Sequence, residues 1–295
     1  MPIDPKAKVT PETLARMKAA GQRIAVITAY DWMFATLFDA AGADVFIVGD
    51  SLAMSVQGHR STLPVTKEDI LYHTRAVARG TQRAMVVSDM PFLSYEISVE
   101  EAVRTAGRFI QEGGADAVKI EGGQAMVPVI DALLRAKIPV MGHIGLTPQS
   151  VNVVGGFKLQ GKNADDAKRM IDEAVALDQA GCFSIVLECV PEELAALITD
   201  RVSIPTIGIG AGPSCDGQVL VFHDLLGMYD GFRPKFVRQY ANTGEVMREA
   251  IAKYLDDVRS GRFPNAGSES FHMSSTEELK KLYGDSVVVP MPKVN

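Results

Sequence analysis

The sequence predicts an α/β fold: a (β/α)8 barrel of the TIM type with an N-terminal helix and a C-terminal helical extension. Short apolar runs rich in β-branched residues alternate with helical patterns along most of the chain, as doubly buried parallel strands and their crossover helices do. Eight such runs can be counted. The joints also repeat, because Ala41-Gly42-Ala43-Asp44, Gly113-Gly114-Ala115-Asp116 and Ala180-Gly181-Cys182 each set a helix-ending glycine just before a strand. A doubly wound open sheet is the structural rival.

In chain order, a first helix is expected around Thr10 to Ala20, where Thr10-Pro11-Glu12 places proline in the first turn. The strands are expected at Arg23 to Ala29, Val45 to Gly49, Ala84 to Ser88, Ala117 to Ile120, Pro139 to His143, Ser184 to Leu187, Pro205 to Gly208 and Gln218 to Phe222. Pro139 and Pro205 stand at strand starts, where a missing N–H is tolerated. Thr66 to Asp69, Ser98 to Glu101 and Asn163 to Asp166 read as capping boxes, and Pro191 as a first-turn proline. Glu245 to Arg259 has the pattern of one more amphipathic helix. The turn-rich stretch that follows gives way to a polar end carrying a small Val287-Val288-Val289-Pro290 run. We therefore expect residues 1–295 to form a single barrel domain, with about 263–295 a tail that carries no catalytic pattern.

The net charge is −6 without a basic block, so a nucleic-acid groove and an anionic membrane face are disfavoured and small molecules are the expected partners. No apolar run reaches the roughly 18 residues of a membrane span. The start, Met1-Pro2-Ile3-Asp4-Pro5, lacks the basic and apolar pattern of a secretory signal, and a cytoplasmic location is expected. Cys182, Cys189 and Cys215 form no Cys-x-x-Cys pair and read as core or loop thiols.

In such a barrel the chemistry lies at the C-terminal ends of the strands. Those ends carry Tyr30 and Asp31, Asp50 and Ser51, Asp89, Lys119 and Glu121, His143, Glu188, and the Gly208 to Gly212 loop. Asp50, Asp89 and Glu121 offer only hard oxygen, which suits Mg²⁺ better than Zn²⁺. Each acid taken alone reads equally well as a cap for the following helix; their fall on successive strand ends favours a metal. Lys119 is either a Schiff-base nucleophile or a charge for an anionic substrate, and Glu121 two residues on, facing the same way, favours the second. His143 is a substrate hydrogen-bond donor of second rank, with a structural role the blander reading. Glu188 is a general base or a helix-start residue. The glycine loop is a phosphate cradle or a plain tight turn.

Thr28-Ala29-Tyr30-Asp31, Val48-Gly49-Asp50-Ser51-Leu52, Gln57-Gly58-His59, Thr62-Leu63-Pro64-Val65-Thr66, Asp89-Met90-Pro91-Phe92, Val118-Lys119-Ile120-Glu121-Gly122, Gly142-His143-Ile144-Gly145-Leu146-Thr147-Pro148-Gln149-Ser150, Leu187-Glu188-Cys189-Val190-Pro191 and Gly208-Ile209-Gly210-Ala211-Gly212 come in this order. Together they closely resemble the ketopantoate hydroxymethyltransferase family, from about residue 10 to Ser270-Phe271-His272. The resemblance implies a (β/α)8 barrel that transfers a hydroxymethyl group from 5,10-methylenetetrahydrofolate to 3-methyl-2-oxobutanoate through a metal-stabilised enolate, giving 2-dehydropantoate for pantothenate and coenzyme A synthesis. It also implies Mg²⁺ and a homodecamer. By motif, Asp50 and Asp89 would bind the metal with Glu121 nearby, Asp50, Ser51, Asp89 and Lys119 would contact the 2-oxo acid, and Glu188 would move the proton. Residues Ser274 to Asn295 run past the family's usual finish. The competing readings are a metal-dependent lyase or mutase acting on another 2-oxo acid, and a non-catalytic barrel whose acids are simple caps.

Overall fold

The fold is taken from a computed structural model, which describes residues 6–156, 158–231 and 233–284. The chain divides into two compact units, residues 1–225 with 231–239, and residues 226–230 with 240–295.

The first unit runs α1 (Pro11–Ala19), β1 (Ile24–Thr28), α2 (Trp32–Ala40), β2 (Val45–Val48), α3 (Leu52–Ser55), α4 (Lys67–Gly80), β3 (Met85–Asp89), α5 (Val99–Gln111), β4 (Ala117–Glu121), α6 (Val127–Arg135), β5 (Val140–Gly145), α7 (Val151–Val154), α8 (Ala164–Ala180), β6 (Ser184–Glu188), α9 (Glu192–Arg201), β7 (Thr206–Ile209) and β8 (Gly217–Leu220), with α10 (Phe222–Leu226) at its boundary. All strand pairs are parallel and follow chain order, and β8 pairs with β1 to close the barrel. Closure rules out the open-sheet rival.

Local signals set most boundaries. Thr10 caps α1 with Pro11 in its first turn, and Thr66 and Asp69 form a reciprocal capping box on α4. Ser98 and Asn163 cap α5 and α8 by side chain, but both expected boxes are half made, because Glu101 pairs with Lys67 at 2.7 Å and Asp166 accepts from the Asn163 side-chain amide at 2.7 Å instead of its backbone N–H. Pro191 lies one position earlier than expected. With ψ at 139° it is the extended cap of α9, and its carbonyl accepts the first helical bond from Ala195 at 2.9 Å. The last strand also ends early, at Leu220 rather than Phe222. The chain is pulled over α2 there: the Phe222 ring sits 4.5 Å from that of Phe34, and its N–H donates to Thr28 Oγ1 at 3.1 Å.

Strand alternation sorts the side chains. Val45 and Ile47, Met85 and Val87, Ala117, Met141, Val186 and Ile207 point inward and pack with Val9, Leu14 and Met17, so α1 plugs the N-terminal end of the barrel. Phe46, Val48 and Val86 face outward against Ala35 and Val77 of α2 and α4. Continuing the inward series up β3 to β6 gives Asp89, Lys119 and Glu121, His143 and Glu188. The interior thus changes from apolar to ionisable along single strands. Burial of each large aliphatic side chain contributes roughly 1.5–3 kcal/mol.

The N-terminal ends of the strands carry acids of another kind. Asp44 accepts the Ala25 N–H at 2.9 Å and pairs with Arg83 at 2.7 Å. Asp116 accepts the Val86 N–H at 2.8 Å and pairs with Lys8 at 2.7 Å. Asp216 accepts the Thr206 N–H at 2.9 Å and pairs with Lys18 at 3.0 Å. Lys18 also donates to the carbonyls of Thr199, Val202 and Ile204 at 2.9–3.1 Å, tying α1 to the start of β7. Cys182 and Cys215 are buried and Cys189 half-buried, all free thiols.

In the second unit α11 (Thr243–Arg259) starts two residues before the expected Glu245. Thr243 Oγ1 donates to Leu226 O at 2.9 Å and the Gly244 N–H to Gly227 O at 3.0 Å, a close approach that a Cβ on Gly244 would block at 2.7 Å from Met228 O. A short α12 (Glu277–Tyr283) occupies the segment expected to be only a polar tail. The Val287 to Pro290 run lies outside the described residues. Among the described residues no helix is long and apolar enough to cross a membrane.

Candidate active site

The C-terminal ends of β2 to β6 converge on one buried polar set. Register explains it: Asp89 stands opposite Lys119, Glu121 opposite His143, and Gly145 opposite Glu188. Asp50 follows the end of β2, and its N–H donates to Asp89 Oδ2 at 3.0 Å. Lys119 Nζ lies 3.2 Å from Asp89 Oδ1, 4.0 Å from Glu121 Oε1 and 3.2 Å from His143 Nδ1. His143 in turn reaches Glu121 Oε1 at 3.4 Å through Nδ1 and Glu188 Oε2 at 3.3 Å through Nε2. Asp50, Asp89, Lys119, Glu121 and His143 are each no more than 6% exposed, whereas the Glu188 side chain, at 16%, is the more open member.

These contacts decide between the alternatives left by the sequence. None of the three buried acids caps the helix after it: α3 has no side-chain cap, Asp89 receives the Asp50 N–H, and Glu121 Oε2 receives the Gln149 N–H at 3.0 Å. Asp31 is the acid that does cap, accepting the Phe34 N–H at 2.9 Å. Ser51 Oγ lies 2.8 Å from the Tyr30 hydroxyl, whose burial pushes the phenol up to about 12. The glycine loop is a packing turn. A Cβ on Gly210 would meet the Phe236 ring at 2.7 Å, and one on Gly212, at φ +75°, would meet Glu192 Cβ at 2.3 Å.

Charge in the set is unevenly satisfied. Burial, then the neighbouring charges of Glu121 and Asp89, hold the Asp50 carboxyl well above the usual carboxylate range. Burial also raises Asp89, although Lys119 and the Asp50 N–H oppose it. Burial pushes Glu121 the same way, but its contact with His143 and the charge of Lys119 outweigh it and leave it below its ordinary value. For Lys119 burial favours the neutral amine, yet three carboxylates overcome it and hold the ammonium above its ordinary pKa. A lysine kept protonated is a poor Schiff-base nucleophile and a good anchor for a carboxylate. His143 is raised to about 9, as its contacts with Glu121 and Glu188 exceed the opposing effects of burial and Lys119.

Asp89 Oδ1 and Glu121 Oε1 are buried and meet only Lys119 Nζ, at 3.2 Å, and His143 Nδ1, at 3.4 Å, without hydrogen-bond geometry. Two buried carboxylates short of positive charge are what a hard divalent cation neutralises, and Mg²⁺ takes one or two protein carboxylates with substrate and water completing its shell. Asp89 and Glu121 meet that condition, and Asp50, whose carboxyl their charges help to raise, stands beside them. Among the described residues no three His, Cys, Asp or Glu side chains group closely enough to hold a metal by themselves, so the ion would depend on substrate oxygens as well. One participant carries no charge and was not singled out from the sequence. Gln149 donates to Asp50 Oδ2 at 2.9 Å from the 3-10 turn Pro148–Ser150 after β5. It lay inside a family motif, and nothing in its type or spacing distinguished it.

The chain is 55% identical over 276 residues to the 3-methyl-2-oxobutanoate hydroxymethyltransferase of Clostridium beijerinckii, covering 94% of this chain and 100% of that one. It is likewise 55% identical over 260 residues to that of Moorella thermoacetica, covering 88% and 97%. Among solved structures, 2,3-dimethylmalate lyase, described as a PEP mutase/isocitrate lyase superfamily member, aligns with TM-score 0.58 at 18% identity over 94% of each chain. Phosphonopyruvate hydrolase in complex with oxalate and Mg²⁺ aligns with TM-score 0.57 at 12% identity over 94% and 95%. Likeness at that identity speaks for the barrel alone. The ketopantoate hydroxymethyltransferase family model matches residues 8–266, and with the curated relatives at 55% identity it establishes that the chain belongs to the ketopantoate hydroxymethyltransferase family.

Proposed function

We propose that this enzyme, a hydroxymethyltransferase, moves a one-carbon unit from 5,10-methylenetetrahydrofolate to 3-methyl-2-oxobutanoate and forms 2-dehydropantoate for pantothenate and coenzyme A synthesis. The observation that carries the reading is the single connected set of Asp50, Asp89, Lys119, Glu121, His143 and Glu188 at one end of the barrel. It joins a fixed ammonium, oxygen ligands and a more open carboxylate, the three parts that enolate chemistry on a 2-oxo acid needs.

Asp50 and Asp89 would hold Mg²⁺, with Glu121 beside them adding negative charge. When bound, the cation supplies Lewis-acid stabilisation of charge on the 2-oxo oxygen. The Lys119 ammonium binds the substrate carboxylate, and Ser51, kept in place by the Tyr30 hydroxyl, donates to the oxo acid. Glu188 removes the proton from carbon 3, a step worth roughly 10² to 10⁴ in rate when the base is positioned. The electron pair left on that carbon attacks the methylene carbon of the folate. Both carbon–nitrogen bonds of the donor break as the methylene carbon gains its bonds to carbon 3 and to the oxygen of water, and the proton taken by Glu188 and one proton of the water pass to the two folate nitrogens. His143, within hydrogen-bond reach of Glu188 Oε2, orients that carboxylate and stabilises its charge. This reading includes a single catalytic barrel domain, with about 263–295 a tail outside the chemistry, and a cytoplasmic homodecamer. Exposed Trp32, Met33 and Leu37 on α2, and Val246, Ile251 and Tyr254 on α11, offer surface for association.

Incubation with 3-methyl-2-oxobutanoate, 5,10-methylenetetrahydrofolate and Mg²⁺ tests it. Ketopantoate is expected, and its absence sinks the reading. Exchange of deuterium into carbon 3 without folate separates proton abstraction from transfer, and no exchange counts against Glu188 as the base. A lyase or mutase would instead cleave or rearrange a different 2-oxo acid. The structural neighbours that carry such titles do not favour it, because their 12% and 18% identities speak for fold only.

A further inference from the structure

We propose that Gln149 is a positioning residue of this site, one that sets which oxygens of Asp50 and Glu121 are left to face the substrate. The inference rests on the hydroxymethyltransferase reading above. Gln149 is 6% exposed, and its backbone N–H and both side-chain polar atoms are engaged. Nε2 donates to Asp50 Oδ2 at 2.9 Å and to Met90 O at 3.0 Å, its backbone N–H donates to Glu121 Oε2 at 3.0 Å, and Oε1 accepts from the Tyr95 hydroxyl at 2.8 Å. One loop residue after β5 therefore ties together the ends of β2, β3 and β4.

The amide has only one workable orientation. Its two N–H groups face a carboxylate oxygen and a carbonyl oxygen, neither of which can donate while Asp50 is ionised. Reversing the amide would set Oε1 against both and leave the Tyr95 hydroxyl facing an NH₂ group. Tyr95 is itself fixed from the other side, since its oxygen lies 3.2 Å from both the Glu121 N–H, which donates to it, and Glu121 O. Burial, followed by the charges of Glu121 and Glu96, raises its phenol far above the ordinary value, so the hydroxyl keeps its proton. Tyr95 therefore locks Gln149, and Gln149 locks Asp50 and Glu121. An amide suits the position because it donates to a carboxylate without bringing charge. A lysine here would neutralise a carboxylate meant for a cation, and a glutamate would repel it.

The test is calorimetric titration of 3-methyl-2-oxobutanoate into the full chain with saturating Mg²⁺, together with steady-state kcat and both KM values. Wild type, Gln149→Met, Tyr95→Phe and the double variant are compared. Losing a buried hydrogen bond to a charged group should weaken oxo-acid binding about 10- to 100-fold in Gln149→Met, and losing the neutral bond about three- to tenfold in Tyr95→Phe. The double variant should be no weaker than Gln149→Met alone, and KM for the folate should stay within about twofold. A general loss of stability would not produce that non-additivity in a folded protein. Oxo-acid binding by Gln149→Met within about twofold of wild type overturns the proposal, as do effects that simply multiply in the double variant. Where Gln149→Met does not fold by circular dichroism, Tyr95→Phe decides: weakened binding with an intact spectrum supports the proposal, and binding within about twofold overturns it. A wild type that binds the oxo acid yet forms no ketopantoate sinks the transferase reading and leaves the binding ratios to judge Gln149. A wild type that binds none overturns both.

Discussion

The two ends of this barrel use acidic residues in opposite ways. At the N-terminal end Asp44, Asp116 and Asp216 each receive a neighbouring strand's N–H and each has its own cation, Arg83, Lys8 or Lys18. At the C-terminal end Asp50, Asp89 and Glu121 share the ammonium of Lys119 and the imidazole of His143, and two of their oxygens meet these groups without hydrogen-bond geometry. The lower acids are neutralised locally and fasten strands. The upper acids retain a surplus of negative charge in a buried place, a state that costs stability unless something else supplies the balance. Carboxylates at strand ends thus fasten the backbone at one end and crowd together in a buried cluster at the other.

The sharpest way to test that contrast is at Glu188. Glu188→Gln should lower kcat by about 10² to 10⁴ while leaving Mg²⁺-dependent oxo-acid binding nearly intact, as single-turnover and titration experiments would show. Asp89→Asn comes next. It should abolish most Mg²⁺-dependent binding of the oxo acid, an affinity loss of about tenfold or more. Without metal its melting temperature should be equal to or above that of wild type, because one of the crowded charges is gone. A large drop in melting temperature would mean the upper acids are structural like the lower ones. Asp216→Ala should behave oppositely. It strands the Thr206 N–H and Lys18, and should cost about 1–3 kcal/mol by denaturant titration with kcat of the folded protein unchanged.

The smallest effect concerns a histidine that neither set of acids holds. His223 stacks on Phe222 with ring centroids 3.8 Å apart, its Nδ1 is buried without a partner, and burial lowers it to about 4 against a partial opposing effect of Asp31. The unfolded chain binds a proton below its ordinary value of 6.5, while the folded chain resists until about 4. Stability from the neutral ring is therefore present above pH 6.5 and is lost as pH falls toward 4. Melting temperature should decline less steeply across that window in His223→Leu than in wild type, and identical slopes would remove His223 from the acid response.

Much of this was readable without coordinates. The β-branched runs at Val45, Met85, Ala117 and Ser184 became buried strands because a doubly covered parallel strand tolerates little else. Thr10 and Thr66 announced their helices because capping is settled within four residues. The left-handed glycines Gly42, Gly114 and Gly181 marked the turns into strands in the same local way. Errors fell where a distant partner set the boundary. Phe222 leaves the last strand to pack on Phe34, and Glu101 abandons its capping box for Lys67.

By itself, then, the sequence determined the alternation of strand and helix, the ends at which acids and a lysine would emerge, and the family. Those properties come from short-range patterning and from motifs preserved as strings. The tertiary structure alone decided which acids share a cation and which have their own, that Lys119 lies nearer Asp89 than Glu121, and that Gln149 and Tyr95 hold the set together. Each of these depends on the closed barrel bringing polar atoms from different strand ends to about 3 Å, within hydrogen-bond contact. Gln149 and Asp50 are 99 residues apart in the chain, and no local pattern carries information over that span.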